Sequence, residues 1–190
     1  MAKVTSNIVQ NGDEWLKEIE QDVEDATYRA MTKTGLVGEA RLKGIIEKEA
    51  YDTGRLLRSV NSIIQRLPNE IRLVIGTNLE YAFYLEHGRK PGKWPNLDAL
   101  TKWVGRKLRQ QGVGTRVNVS FDQLKSLART NGKKATKAQE AYRAHLSALY
   151  LIGRKIATKG IRGKFIFQRI EAGLLTYFRR ELETELNRIV

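Results

Sequence analysis

The sequence predicts an α+β fold, in which a long N-terminal helix and C-terminal helices pack on a small antiparallel β-sheet. Three observations support this prediction. Apolar residues recur at helical spacing from Asp13 to about Ala50, two β-branched runs flank a Pro-Asn turn, and helical periodicity returns over 136–159 and 168–187. A helix, a hairpin and later helices in this order are typical of an α+β domain. We predict a single domain over residues 1–190.

The first helix is predicted to begin at Asp13, because acidic side chains favour the positive end of a helix dipole. Gly35 and Gly38 are expected to kink or divide it. Its apolar stripe is too wide to remain in water, so the helix must pack on a sheet or on a neighbouring subunit. The stripe consists of Trp15, Ile19, Val23, Ala26, Ala30, Leu42, Ile45 and Ile46.

A turn and a hairpin are predicted after this helix. Asp52, Thr53 and Gly54 form a turn signal. The strands are predicted in "SVNSIIQRL" and "IRLVIGT". A short helix follows through "LEYAFYLEH", with Asn78 as its N-cap and Gly88 as the left-handed residue that ends it.

Another helix is predicted in "PNLDALTKWVGRKLR", with Asn96 as its N-cap and Trp103 beside an apolar side of leucines and valine. Segment 110–134 is poor in pattern and rich in Gly, Asn, Lys and Arg. We interpret it as a basic mobile insertion with one short helix at "FDQLKSLA". A strong helix then begins at Thr136 and is closed by Gly160.

The charge is distributed unevenly around a formal net charge of +13. Residues 1–50 hold 7 basic and 10 acidic side chains, whereas residues 101–170 hold 17 basic and 2 acidic side chains. Such a field attracts polyanions such as nucleic acid, or an acidic protein face. A merely solubilising surface is the alternative.

The candidates for DNA or partner contact are basic residues of this middle region. They are Lys102, Arg106, Lys107, Arg109, Arg116, Lys125, Arg129, Lys133, Lys134 and Lys137. The aromatic residues of "YAFY" and "KWP" lie outside the densest basic stretch. We therefore expect plain phosphate contact rather than base stacking.

Several function classes are disfavoured. The absence of cysteine excludes a disulfide framework, a thiol nucleophile and a zinc–thiolate site. No apolar run is long enough to cross a bilayer, and the N-terminus lacks the apolar core of a signal peptide, so we expect no membrane and a cytosolic origin. Phosphate-binding loops, a serine nucleophile elbow and paired-histidine metal motifs are also missing from the sequence, so we expect no cofactor and no metal.

The stretch "EYAFYLEHG" contains the one pairing that invites an acid–base role, Glu86 beside His87. Adjacent helix residues point about 100° apart, so the two side chains do not converge on one substrate atom. We interpret Glu86 as structural, partly buried under the aromatic residues and tied to a backbone amide or an arginine. A magnesium nuclease that uses Asp52 and Glu86 is disfavoured because the carboxylates lack a tight cluster.

Four segments together resemble the tail-component or neck-protein family of long-tailed double-stranded DNA phages, to which lambda's minor tail protein Z is akin. The segments are "YDTGRLLRSV", "IGTNLEYAFYLEHG", "RKPGKWPNLDALTKWVGRKL" and "LIGRKIATKGIRGKFIF". The resemblance spans roughly residues 13–178, and the basic insertion at 110–134 is a departure from it. The matching residues are Asp52, Thr53, Gly54, Leu56 or Leu57, Ser59, Tyr81, Ala82, Glu86, Gly88, Pro91, Pro95, Trp103, Ile156, Gly160, Phe165 and Phe167.

The resemblance implies a structural virion protein and no enzyme. It implies a subunit of the head–tail connector, as a neck or tail-completion protein, in a ring of six or twelve copies around the DNA channel. The implied partners are head-closure or adaptor proteins, tail-terminator proteins and, without sequence preference, phage DNA. Assembly would take place in the host bacterial cytoplasm. The acidic first helix and the basic middle offer a head-to-tail pairing between adjacent subunits. The alternative is a free nucleic-acid-binding protein without sequence preference.

Overall fold

The computed structural model describes residues 2–68, 70–113, 118–130 and 134–189, with side chains described for Gly12 and from Glu14 onward. The predicted α+β class is confirmed. In chain order the elements are α1 (Ala2–Glu49), α2 (Arg55–Ser59), β1 (Asn61–Leu67), β2 (Glu70–Gly76), α3 (Tyr81–His87), β3 (Gly88–Arg89), α4 (Leu97–Gln110), α5 (Phe121–Leu127), α6 (Lys137–Lys159), β4 (Ile161–Arg162) and α7 (Gln168–Leu186).

The chain divides into two compact units. Unit 1 comprises Met1–Glu86 and Phe165–Val190, and unit 2 comprises His87–Lys164. Unit 2 is therefore inserted in the sequence between α3 and α7. The segment predicted as an insertion, 110–134, falls within this longer unit.

Unit 1 is built on α1, which packs against both the hairpin and α7. Strands β1 and β2 pair antiparallel, with Asn61 opposite Gly76 and Leu67 opposite Glu70. The predicted start of the first helix at Asp13 is wrong, because α1 extends further towards the N-terminus. The buried core of the unit consists of Leu42, Ile46, Leu56, Val60, Ala82, Ile166 and Ile170. The sheet on which α1 was expected to pack is thus the β1–β2 hairpin.

Two glycines of α1 serve packing. The helix runs through Gly35 and Gly38 without being divided. A Cβ atom on Gly35 would lie 3.1 Å from Leu73 Cδ1 of β2. A Cβ atom on Gly38 would overlap Ile75 and lie 2.9 Å from Leu174 Cδ1 of α7. The missing side chains therefore let the hairpin and α7 approach the helix backbone closely.

A buried carboxylate holds the end of α7 against α1. The side chain of Glu185 is only 1% exposed and accepts from Arg29 Nε at 2.8 Å and from Lys33 Nζ at 2.6 Å. Hydrogen bonds from Lys33 and Arg29 lower the pKa of Glu185 to about 2. Because the pKa is depressed in the folded state, this stabilisation is present above pH 4.5 and is lost as the pH falls towards 2.

Unit 2 packs α4 and α5 against α6. Its buried core consists of Val104, Val119, Leu124 and Leu149. The predicted N-cap Asn96 accepts from the amide of Asp98 at 2.9 Å. Helices α5 and α6 begin with capping boxes at Ser120 and Thr136, which satisfy the first free amides of each helix.

Part of the predicted basic insertion is helical. Residues 114–117 and 131–133 lie outside the described residues. The short helix predicted at "FDQLKSLA" is present as α5. Its Leu124 is fully buried in the core of unit 2, so this helix contributes to the fold of the unit.

A two-residue ladder pairs β3 with β4, with Gly88 opposite Arg162. Gly88 has a φ of 77°, which confirms the predicted left-handed helix end, and Gly160 has a φ of 72°. A Cβ atom on Gly88 would overlap the carbonyl oxygen of Ile161, and one on Gly160 would overlap that of Arg89. Both the backbone conformation and the close approach of a second backbone require glycine here.

Replacing Gly88 by alanine is expected to lower the free energy of unfolding by more than the left-handed backbone strain alone. The reason is that the alanine Cβ atom would overlap a backbone carbonyl oxygen. The matched control is Gly112→Ala, since Gly112 has a φ of 83° and none of the described residues lies within 4 Å of the new Cβ. We expect the control to lose about 1–2 kcal/mol of unfolding free energy and Gly88→Ala to lose clearly more. Chemical denaturation measures both, and equal losses would contradict the backbone overlap.

Acid is expected to destabilise unit 2 through His145. This side chain is fully buried, its Nε2 donates to the carbonyl of Thr101 at 2.9 Å, and its Nδ1 has no partner among the described residues. Burial lowers the pKa of His145 below 6.5. Below pH 6.5, His145 is protonated in the unfolded chain but stays neutral in the folded unit. The free energy of unfolding of unit 2 therefore falls as the pH drops below 6.5.

The measurement is hydrogen exchange of the α4 and α6 amides between pH 7.5 and 5.5, a window above the titration of ordinary carboxylates. The wild type should lose protection on acidification, after correction for the intrinsic exchange rate. His145→Leu should lack this pH dependence, whatever its own stability. The same pH dependence in both proteins would rule out His145 as the cause.

Candidate partner and nucleic-acid interface

The Asp52-Thr53-Gly54 motif turns the chain out of α1. Gly54, with a φ of 70°, is the N-cap of α2. Residues 55–58, for which no element was predicted, are helical in α2, and the strand predicted to begin at Ser59 begins at Asn61. The motif's Ser59 donates to the carbonyl of Leu56 at 2.8 Å, and its Oγ lies 2.6 Å from Thr77 Oγ1. The motif therefore joins α1, α2 and the end of β2.

Glu86 ties the end of α3 to the start of α7. Its side chain is 9% exposed, and its two carboxylate oxygens accept from the amides of Phe167 at 2.9 Å and Gln168 at 3.1 Å. The predicted bond to a backbone amide is thus present. The amide of Phe165 also donates to the backbone carbonyl of Glu86 at 3.2 Å. Because the first amides of a helix lack intrahelical partners, Glu86 caps α7 from a distant part of the sequence.

The rest of the "EYAFYLEHG" stretch is divided between core and surface. Ala82 is buried in the unit 1 core, whereas Tyr81, Phe83 and Tyr84 are about half exposed. The prediction that Asn78 is the N-cap of this helix is wrong, because α3 begins only at Tyr81. The amide of Leu79, before the helix, donates to Thr77 Oγ1. Three exposed aromatic side chains on one short helix make an apolar surface of the kind that partners cover.

Metal chemistry has little support within the described ranges, where no three carboxylate or imidazole groups come together as a possible metal site. Both oxygens of the Glu86 carboxylate are already engaged with backbone amides. This geometry fits a structural role for Glu86 and leaves little access for a substrate proton.

Two tryptophans of unit 2 have different environments. Trp103 is partly buried and packs against the unit 2 core. Trp94 is half exposed and lies against Tyr150 of α6, with ring centroids 5.6 Å apart. Gly153 makes room for it, since a Cβ there would lie 2.7 Å from Trp94 Cζ3. Sequence reasoning missed this exposed pair, although Gly153 one turn after Tyr150 was an available signal.

Unit 2 carries all of the net positive charge, and the rest of the chain is slightly acidic. It contains 19 basic and 3 acidic side chains, whereas the rest of the chain contains 15 basic and 18 acidic side chains. The ten predicted contact residues all belong to it. Those that are exposed are Lys102, Arg109, Lys125, Arg129, Lys134 and Lys137. Arg106 and Lys107 are half-buried, and Arg116 and Lys133 lie outside the described residues.

Some basic groups are used within unit 2 itself. Lys125 lies 2.8 Å from the Asp122 carboxylate and 4.6 Å from the centre of the Phe121 ring. Arg143, which was not among the predicted candidates, donates to the carbonyl of Ala128 at 3.2 Å and to Thr130 Oγ1 at 2.6 Å. The Lys125 contacts lie within α5, and the Arg143 bonds hold the residues after α5 against α6.

Further cations of unit 2 extend the basic surface beyond the predicted cluster. These cations lie on α6 and near the β3–β4 ladder. A count of charges in the sequence alone could have added them to the predicted contact residues. They are Arg89, Lys90, Lys93, Arg154, Lys155, Lys159, Arg162 and Lys164.

In the part of the chain that the structure describes, no helix has the length and apolar character of a membrane span.

One family model matches the chain. It is HK97-gp10-like, described as "Bacteriophage HK97-gp10, putative tail-component", and it covers residues 13–88. No curated protein and no solved structure matches.

The matched range runs from within α1 to Gly88, and so ends where unit 2 begins. It contains the Asp52-Thr53-Gly54 motif, the hairpin and the whole of α3. The resemblance inferred from these motifs is confirmed over this range, and the motifs after Gly88 lie outside the match. Residues 13–88 of this chain are therefore similar to the HK97-gp10-like putative tail components of bacteriophages.

Proposed function

We propose that this protein is a structural, non-enzymatic subunit of the phage head–tail connector, as a neck or tail-completion protein. The observation that carries the proposal is the joining of a tail-component domain to a compact unit with 19 basic and 3 acidic side chains. In this role, copies form a ring of six or twelve subunits around the DNA channel. The ring joins head-closure or adaptor proteins to tail-terminator proteins.

Unit 2 supplies the contact with DNA. Duplex DNA carries about one negative charge per 1.7 Å of its axis, and lysine or arginine at the surface releases its counterions. Contacts of this kind position a backbone without reading sequence, which suits a channel through which a whole genome passes. Exposed Lys102, Lys134 and Lys137 are positioned for such contacts.

Unit 1 supplies the scaffold. Its long helix is fixed to the hairpin by close packing at two glycines and to α7 by the buried Glu185 cluster. These contacts make unit 1 rigid, as expected of a part that transmits a mechanical load between head and tail. The subunits assemble in the bacterial cytoplasm and remain in the virion at the head–tail interface.

The alternative function is a free nucleic-acid-binding protein without sequence preference, which the basic unit 2 also favours. Mass spectrometry of purified phage particles separates the two functions. A connector subunit co-purifies with DNA-filled, tailed particles in a fixed copy number, and a free binding protein remains in the lysate.

Glu86 provides a test of the non-enzymatic role. Glu86→Gln keeps an oxygen that can accept an α7 amide and should preserve most of the fold. Glu86→Leu leaves two amides without a partner and should lose about 1–3 kcal/mol of unfolding free energy. Denaturation measures both variants. A hydrolytic activity in the wild-type protein that Glu86→Gln abolishes would overturn the non-enzymatic role.

The DNA contact is tested by reversing Lys102, Lys134 and Lys137 to glutamate. The wild-type protein should bind duplex DNA weakly at low salt, with no sequence preference, and should release it near physiological salt. The triple variant should lose binding at low salt, and the slope of log K against log salt should shrink by up to about 2.7. Fluorescence anisotropy measures both quantities.

A matched control has the same change in net charge on unit 1. It reverses Lys48, Arg55 and Arg179, which are exposed there. The control should retain most of the DNA affinity and the yield of infectious particles, whereas the unit 2 variant should lower both. Equal effects of the two triple variants would show that net charge, and not unit 2, determines binding.

A further inference from the structure

The first described part of α1 extends beyond its partners in unit 1. The last turn of α7 reaches α1 at Arg29 through Glu185. Arg66, at the far end of the hairpin, reaches α1 at Glu24 at 3.5 Å and at Asp25 at 3.3 Å, and residues 14–23 precede these contacts. From Glu14 to Glu24, every side chain is exposed except that of Ile19, which is half-buried. We call residues 14–25 the projecting segment.

The projecting segment carries an apolar stripe. Trp15, Ile19 and Val23 recur every four residues, and Leu16 lies beside them. Trp15 is 59% exposed. The same stripe continues into Ala26, which is fully buried within unit 1. An apolar helix face that is buried along one part and exposed along the next is typical of a surface that a partner covers.

Acidic side chains flank this stripe on both sides. Residues 14–25 hold six carboxylates and one lysine, and two of the carboxylates, Glu24 and Asp25, pair with Arg66 of the hairpin. On a helical wheel, Glu18 and Asp22 lie along one edge of the stripe, and Glu20 lies along the other. The segment is therefore suited to an apolar surface bordered by positive charge.

Unit 2 offers such a surface on α6. Ala144, Ser147 and Leu151 share one exposed side of the helix, and the opposite side is buried. Tyr150 widens this side, with Tyr150 56% and Leu151 62% exposed. The small side chains of Ala144 and Ser147 allow a second helix to approach closely. We call this side, residues 144–155, the α6 face.

The charge of the α6 face complements that of the projecting segment. Arg154 and Lys155 follow Leu151 and are exposed. Neither forms a salt bridge with an acidic residue among those described. The two surfaces also match in length, since twelve helical residues span about 18 Å in each.

We propose that the projecting segment of one copy packs lengthwise on the α6 face of a neighbouring copy. The apolar stripe covers Tyr150 and Leu151, the helix approaches closely over the two small residues, and the carboxylates lie beside Arg154 and Lys155. Each copy carries one donor surface and one acceptor surface, so the contact is heterologous and propagates from copy to copy. This inference rests on the proposed ring and names its subunit interface.

A second copy suits the α6 face better than DNA does. Phosphates would satisfy Arg154 and Lys155, but a duplex backbone offers nothing to cover the exposed Leu151. The projecting segment satisfies both features at once, because it carries an apolar stripe and the opposite charge. The α6 face is thereby assigned to protein contact, and the lysines of α4 and the start of α6 stay available to DNA.

The test is a reciprocal charge reversal in the full-length chain. One variant carries Glu18→Lys and Asp22→Lys, and the other carries Arg154→Glu and Lys155→Glu. In each variant alone, the reversed side chains lie opposite side chains of like charge, so it should associate at least about tenfold more weakly than the wild type. An equal mixture restores opposite charges at every junction, so it should associate as the wild type does.

Sedimentation velocity over a range of concentrations at low salt measures association, and circular dichroism checks that each variant is folded. The control variant carries Glu80→Lys and Glu171→Lys on exposed sites elsewhere in unit 1 and should associate normally. A mixture that fails to recover, or a wild-type protein that stays monomeric at every concentration, would overturn the interface. Loss of DNA binding in the Arg154/Lys155 variant without loss of association would assign the face to DNA instead.

Electron microscopy separates this inference from the proposed function. Rings that form equally well in both charge-reversed variants would leave the connector role intact and refute the interface. Open filaments in the wild type, abolished in each variant and restored in the mixture, would establish the interface and refute the closed ring.

Discussion

The fold depends on one carboxylate, that of Glu86. It accepts the amides of Phe167 and Gln168, which begin α7, while its own backbone carbonyl accepts the amide of Phe165. Helix α7 in turn covers the buried side of α1 and supplies Glu185 to its cations. Without this cap, the first amides of α7 would lack acceptors, and the point at which the chain returns to unit 1 would be weakened. The residue that most resembles a catalytic acid in the sequence is thus a structural anchor.

Local signals predicted most of the elements. The hairpin, α4, α6 and α7 follow from apolar periodicity, and the glycine at the end of α3 follows from the left-handed conformation that only glycine adopts at little cost. Helix α2 escaped prediction because five residues are too few to show a helical period. Gly35 and Gly38 were interpreted as breaks because their packing partners, in β2 and α7, are remote in sequence.

The sites were predictable in kind but not in detail. Composition indicated where the positive charge lies, because unit 2 holds 19 of the 34 basic side chains. It did not indicate that Lys125 is neutralised by Asp122, or that Trp94 and Tyr150 form an exposed pair. Such facts depend on contacts between distant residues, which periodicity does not encode. The opposite charges of α1 and α6 indicate a protein contact only when they are considered together with the exposed apolar side chains on these two helices.

The hydrogen bond from the amide of Phe165 to the carbonyl of Glu86 has an evolutionary consequence. The two residues at which the chain leaves and re-enters unit 1 are only 3.2 Å apart, nitrogen to oxygen. A segment inserted at such a point can be lengthened, exchanged or removed while the scaffold keeps its contacts. Evolution can therefore exchange the inserted unit for another, and so change the surface that the protein presents to partners, while unit 1 keeps its fold.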